Sequence, residues 1–195
     1  MTRFLARARR PLPAAIASAW LVLGAFWPAP APAAEPAAVQ LERRIKAAFL
    51  YKFSGYVDWP AASFARPESP IVIGVAGDDR LATELAQMTT DRTTAGHPIR
   101  VLRLDRDDSP RGVHILFVTG TESDRVKEWA DSLRGAPVLL VTDAPGALEH
   151  GSMINFVASE GRIRFEVALG PALGCGLKLS SGLLAVAKTV LPASQ

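Results

Sequence analysis

Cysteine is almost absent from this 195-residue chain, where Cys175 stands alone. No internal disulfide can form, and neither paired-thiol redox chemistry nor a cysteine-rich zinc site is available. Histidine is scarce as well. His97, His114 and His150 fall in different segments with no metal-ligand spacing. The chain has no H-E-x-x-H pair, no G-x-S-x-G elbow and no G-x-G-x-x-G loop. Those absences remove the usual signatures of metalloproteases, α/β-hydrolases and dinucleotide enzymes. No catalytic residue, cofactor or metal is expected. Long apolar runs are missing too. Leu12–Phe26 is short of the roughly 20 apolar residues a bilayer span needs, and no other stretch qualifies.

Positive charge is scarcer than the total suggests. The net charge is +3, but Arg3, Arg7, Arg9 and Arg10 crowd the first ten residues without an acid among them. Without that stretch the balance against 19 acidic residues becomes −1. A nucleic-acid partner would need a basic surface, and this argument for one disappears.

The same stretch reads as a targeting signal. A positive segment precedes an apolar one containing Trp20, Leu21, Val22, Leu23 and Phe26, and Ala31-Pro32-Ala33 offers small residues for cleavage. Residues 1–33 are therefore expected to be a signal peptide, and residues 34–40 a disordered Pro/Ala-rich leader. The expected location is a non-cytoplasmic space. A lone thiol there reads first as a buried small hydrophobe.

Ile45–Pro60 is the first strong element. Ile45, Phe49, Phe53 and Tyr56 recur at helical spacing, with Ala47 and Leu50 on another side. Pro60 disfavours helical geometry at Trp59, which puts that ring at a fixed corner.

From residue 71 to 142, strands alternate with helical segments. Ile71–Val75, His114–Thr119 and Pro137–Thr142 are short apolar runs of buried strands. Ile99–Leu104 alternates, with Arg100 and Arg103 outward. Asp78 or Asp79 is placed to cap a helix carrying Leu81, Leu85 and Met88. Thr121 or Ser123 is placed to cap another carrying Val126, Trp129, Ala130 and Leu133. Met153–Ala158 and Arg162–Val167 flank Ser159-Glu160-Gly161 as a hairpin. Leu177–Leu191 reads as an apolar helix. The expectation is a single-domain α/β fold with a mostly parallel central sheet flanked by helices, a C-terminal β-hairpin and a final helix.

Two surfaces carry the candidate sites. Gly77, Asp78, Thr119, Thr142 and Asp143 fall at carboxyl ends of strands, where ligand sites of open α/β sheets gather. They could form a shallow polar ligand site, or serve only as caps and turns. On Arg162–Val167 the residues Arg162, Arg164 and Glu166 share one face, either solvated or a partner surface. His114 opens a buried strand and reads as a hydrogen-bonded structural histidine.

Six stretches taken together resemble the YfiR family. They are KAAFLYKFSGYVDWP at 46–60, HILFV at 114–118, PVLLVTDAPG at 137–146, GSMINFV at 151–157, RIRFEV at 162–167 and LKLSSGLLAVAKTV at 177–190. Their order and spacing place the similarity across residues 41–191. The resemblance implies a non-enzymatic periplasmic repressor. It would hold the periplasmic sensor domain of a YfiN-type membrane diguanylate cyclase inactive, keeping cyclic-di-GMP low and biofilm growth restrained. It also implies a homodimer. With it, Phe53, Tyr56 and Trp59 become candidate partner contacts beside Arg162, Arg164 and Glu166. The alternative is a small-ligand-binding or sensor accessory of a sensor kinase or another membrane receptor. This chain departs from the family pattern in four places. Ile73 and Val113 stand where cysteines are expected, Lys52 replaces an Asn, and Val167-Ala168 ends a stretch where another Asn is expected.

Overall fold

A computed structural model describes residues 35–105 and 107–193. The expected signal peptide lies outside them. Helix α1 spans Ala37–Tyr56 and begins inside the stretch expected to be a disordered leader. Pro36 precedes its first residue, where a missing N–H costs nothing. The Glu35 carboxylate folds back to pair with Arg43 and with Arg80, the latter at 3.1 Å. A carboxylate beside a helix N-terminus also complements the helix dipole.

The helix buries a different stripe from the expected one. Ala47, Leu50, Phe53 and Ser54 are buried, while Tyr56 is exposed. It ends at Tyr56 because the chain then pairs elsewhere. Strand β1 (Val57–Asp58) lies antiparallel to a short strand near the C-terminus.

The rest follows as β2 (Ile71–Ala76), α2 (Asp79–Thr89), β3 (Thr93–Thr94), β4 (His97–Leu104) and β5 (Ile115–Val118). Then come α3 (Val126–Ser132), β6 (Leu139–Thr142), β7 (Ile154–Ser159) and β8 (Arg162–Ala168). The chain closes with α4 (Leu169–Gly174), β9 (Lys178–Leu179), α5 (Ser181–Val186) and β10 (Thr189–Leu191). The main sheet runs β10-β8-β7-β6-β5-β2-β4-β3, and β1 pairs with β9. From β4 through β7 the neighbours are parallel. The expected α/β architecture with a mostly parallel sheet is what the chain adopts.

Strands β2, β5 and β6 are buried along their whole length because helices cover both faces. Ile73, Val75, Ile115, Phe117, Leu139 and Val141 face α1, α2 and α5. Leu116, Val118 and Leu140 face α3. Phe49, Phe53, Phe156 and Phe165 cluster between α1 and the β7–β8 hairpin, with ring centroids 5.2–6.0 Å apart. The hairpin turns through Glu160 and Gly161, both at positive φ, as a tight two-residue turn requires.

Two expectations are corrected. The segment before α3 is a 3-10 turn over Gly120–Arg125, with non-helical geometry at Glu122. Neither Thr121 nor Ser123 caps α3, whose own N-cap, Arg125, makes no side-chain capping bond. The helix expected over Leu177–Leu191 is reduced to Ser181–Val186. The Ser180 hydroxyl accepts from Leu183 N–H and starts it. Ala187 turns extended, and Lys188 N–H donates to Phe165 O at 2.8 Å. The β-branched Thr189 and Val190 then join β8 as a parallel edge strand.

Candidate functional site

The aromatic corner at the end of α1 divides into three environments. Phe53 is only 2% exposed and belongs to the core, so its expected role as a partner contact is withdrawn. Its place in the helix stripe aims it at Phe156 and Phe165. Trp59 is half-buried. Its indole N–H donates to His114 O at 3.3 Å, and its ring meets the imidazole edge-on. Tyr56 alone is open, at 46% exposure. A Cβ added at Gly182 would reach 3.4 Å from the Tyr56 ring, so the bare glycine lets the ring lie against α5. Ser180 N–H donates to Tyr56 O at 2.9 Å and fixes that approach. Val186 at the end of α5 is 56% exposed, and Val190 and Leu191 on β10 are exposed too.

Strand β8 places its charged residues as the alternation predicts. Arg162 and Arg164 are exposed, while Phe165 and Val167 are buried on the other face. Glu166 is partly covered by Lys188, 3.5 Å away, just before β10. β10 pairs only with β8, so its outer edge is unpaired among the described residues.

The five candidate ligand residues do meet at the carboxyl ends of β2, β5 and β6, but their chemistry is largely spent inside the fold. Asp78 caps α2 by accepting from Leu81 N–H, and lies 3.7 Å from Arg43. Gly77 has φ +84°, and a Cβ there would fall 2.3 Å from the Thr119 methyl. Thr142 is fully buried, donating to Asn155 at 2.7 Å and sharing a 2.9 Å bond with Ser152. Asp143 accepts from Lys46 and from Gly120 N–H. Burial pushes the Lys46 ammonium down, but its bonds to Asp143 and Glu42 outweigh that and raise its pKa. A cavity of about 480 Å³ lies nearby, bordered by Gly77, Asp78, Asp105, Glu122 and Arg125. Thr119, Thr142 and Asp143 do not border it. Among the described residues no group of three potential metal ligands comes together. No helix among them is long and apolar enough to cross a membrane.

The opposite end of the sheet holds an arrangement that sequence reasoning missed. Phe64 lies stacked between His97 and His114, with centroids at 4.1 and 4.7 Å. His114 is structural as expected: its Nδ1 accepts from Val72 N–H at 3.1 Å. His97 Nδ1 is 2.8 Å from Ser69 O. Burial drives the His114 pKa down. The Ser63 backbone pulls it up, although Nε2 makes no properly formed hydrogen bond, and nearby His97 pushes it down further. The three rings come from separate loops and strand starts, and no periodicity links them. Cys175 is partly buried, with Sγ 3.9 Å from Leu133 O.

The model of a family described as YfiR/HmsC-like matches residues 43–188. No curated protein matches the chain.

Proposed function

This chain belongs to the YfiR/HmsC-like family, and from that membership we propose that it is a periplasmic, non-enzymatic regulator of cyclic-di-GMP signalling. It binds the periplasmic sensor domain of a membrane diguanylate cyclase and holds that enzyme inactive. The observation that supports a protein partner is the surface around Tyr56. An open tyrosine lies against α5 with its exposed Val186, while exposed Val190 and the outward Arg162 and Arg164 belong to β10 and β8 at the sheet edge. Tyrosine and arginine anchors set among apolar residues are the composition of binding hot spots. The unpaired edge of β10 adds backbone groups that a partner strand can use.

Deleting the gene in a strain that carries the cognate cyclase should raise cyclic-di-GMP, and restoring the wild-type chain should lower it again. A Tyr56→Ala, Arg164→Ala chain should be secreted at normal levels yet fail to restore repression. Unchanged cyclic-di-GMP on deletion rejects the cyclase as target. A second reading, a ligand-responsive accessory of a sensor kinase or another receptor, is favoured by the cavity beside His114.

A further inference from the structure

Strand β10 covers only part of the strand it borders. Its three residues align with Glu166, Val167 and Ala168 of β8, so Arg162 and Arg164 stand clear of it. The step between the two strands is a notch of about 270 Å³, bordered by Ser159, Glu160, Arg162, Arg164 and Lys188. We propose that this notched edge receives an extended segment of the partner protein in which acidic residues alternate with apolar ones. The proposal names the partner's recognition segment and so rests on the reading of a protein partner, but its test uses no cyclase.

The backbone supplies the first requirement of strand addition. Phe165 O accepts from Lys188 N–H at 2.8 Å, so the main-chain groups of Phe165 turn toward β10. In an antiparallel pair that direction alternates along the strand. Ile163 therefore turns its N–H and C=O the same way, where no strand among the described residues pairs with them. The outer side of β10 is unpaired as well among the described residues. Edges of this kind take up an extended chain through main-chain hydrogen bonds, and its alternate side chains then set the specificity.

Side chains fix the chemistry of the occupant. Arg162 and Arg164 project from one face of β8, exposed and without an ion pair among the described residues. Their cross-strand neighbours on β7 are Ser159 and Val157, neither of them charged. Lys188 is matched by Glu166 at 3.5 Å, and the carboxylate that borders the notch is Glu160. An added strand places every second side chain beside the two guanidiniums, where opposite charges attract and like charges repel. Its remaining side chains fall on the other face, the face of exposed Val190, which aligns with Val167. Acidic residues alternating with apolar ones satisfy both faces. A second copy of this chain would bring the same cations to the joint, and a membrane surface offers no strand to the main-chain groups.

The test adds a blocked peptide of alternating glutamate and valine to the purified chain, followed by ¹H–¹⁵N NMR. Saturable shifts are expected at the amides of Ile163, Arg164, Val190 and Leu191. The same peptide with lysine for glutamate, and one of equal charge broken by a central proline, should each bind at least about tenfold more weakly. Arg162→Gln, Arg164→Gln keeps the exposed face polar and should weaken the glutamate peptide by a similar factor. The peptide comparison needs no variant. Absence of saturable shifts at these amides overturns the proposal. So does equal binding of the lysine or the proline peptide, or glutamate-peptide binding that the double variant leaves unchanged. Binding of phosphatidylglycerol vesicles through Arg162 and Arg164, with none of the glutamate peptide, overturns it in favour of a membrane surface. A negative result with the peptides rejects this segment and leaves the cyclase reading to the deletion experiment.

Discussion

Lys46 Nζ sits 2.6 Å from Asp143 Oδ2 and joins the middle of α1 to the carboxyl end of β6. The two residues are 97 positions apart in sequence. Both side chains are mostly shielded from water, and Asp143 also receives Gly120 N–H. Asp143 was a candidate ligand residue, and its position explains why the chain needs it with no ligand present.

Asp143→Ala should therefore destabilise the fold by about 1–3 kcal/mol, because it leaves Gly120 N–H without its acceptor and the shielded Lys46 ammonium with Glu42 as its remaining carboxylate. Lys46→Met should cost less, since methionine keeps the packing and Asp143 keeps its bond to Gly120. Urea midpoints at neutral pH read both effects. The Lys46 pKa is raised in the fold. Its contribution is complete below the ordinary lysine value and is lost as pH rises through the higher folded value. Equal stability of wild type and Asp143→Ala would refute the assignment.

The acid limb should belong in part to His114. Its pKa is lowered from 6.5 in the fold. As pH falls below about 6.5 the unfolded chain takes up a proton that the folded chain refuses, so stability drops. The loss stops once pH passes the lower folded value. In His114→Gln the slope of unfolding free energy between pH 7 and pH 5 should flatten. An unchanged slope would assign the acid sensitivity to other groups.

The aromatic corner should separate into core and contact by mutation. Phe53→Ala should cost about 3–5 kcal/mol, as expected for truncating a buried phenylalanine. Trp59→Ala should cost less but still measurably, because it loses packing and the bond to His114 O. Tyr56→Ala should cost under about 1 kcal/mol yet weaken binding to the proposed partner, a cyclase sensor domain, at least about tenfold. Calorimetry on each purified variant, with and without that domain, compares the two quantities directly. Tyr56→Ala binding at wild-type strength would remove it from the interface.

Gly77→Ala should destabilise by about 2–3 kcal/mol, because the new methyl meets Thr119 and the left-handed backbone resists a side chain. Thermal melts of Gly77→Ala and of Gly77→Ala, Thr119→Ser should differ, with the second partly restored. If the double variant melts no higher, the clash with Thr119 is not the cause.

The buried strands were legible because helices cover both of their faces. Ile71–Ala76, Ile115–Val118 and Leu139–Thr142 read as unbroken apolar runs for that reason. The hairpin was legible from Glu160-Gly161, and the α2 cap from Asp78. The C-terminal segment was not. Leu179, Leu183, Val186 and Val190 fit a helical stripe, but pairing of Lys188 and Thr189 with β8 overrides local periodicity. Period alone cannot tell a helix from a short helix followed by a strand. The candidate site was legible in part. Of the candidate contacts, Tyr56 and the β8 arginines are exposed, whereas Phe53 is lost to the core. The His97, Phe64 and His114 stack was invisible because three distant segments create it.

The pairing of β1 with β9 has a mechanical consequence. Val57 aligns with Leu179 and Asp58 with Lys178, and Ser180 continues the contact to Tyr56. The exit of the first helix and the entry to the last one are thereby spliced into a single lever. A load placed on the Tyr56 ring is shared at once by two stretches that lie at opposite ends of the folded sequence. Backbone bonds tie Tyr56 O to Ser180 N–H at the start of α5, and Phe165 O to Lys188 N–H just before the outermost strand.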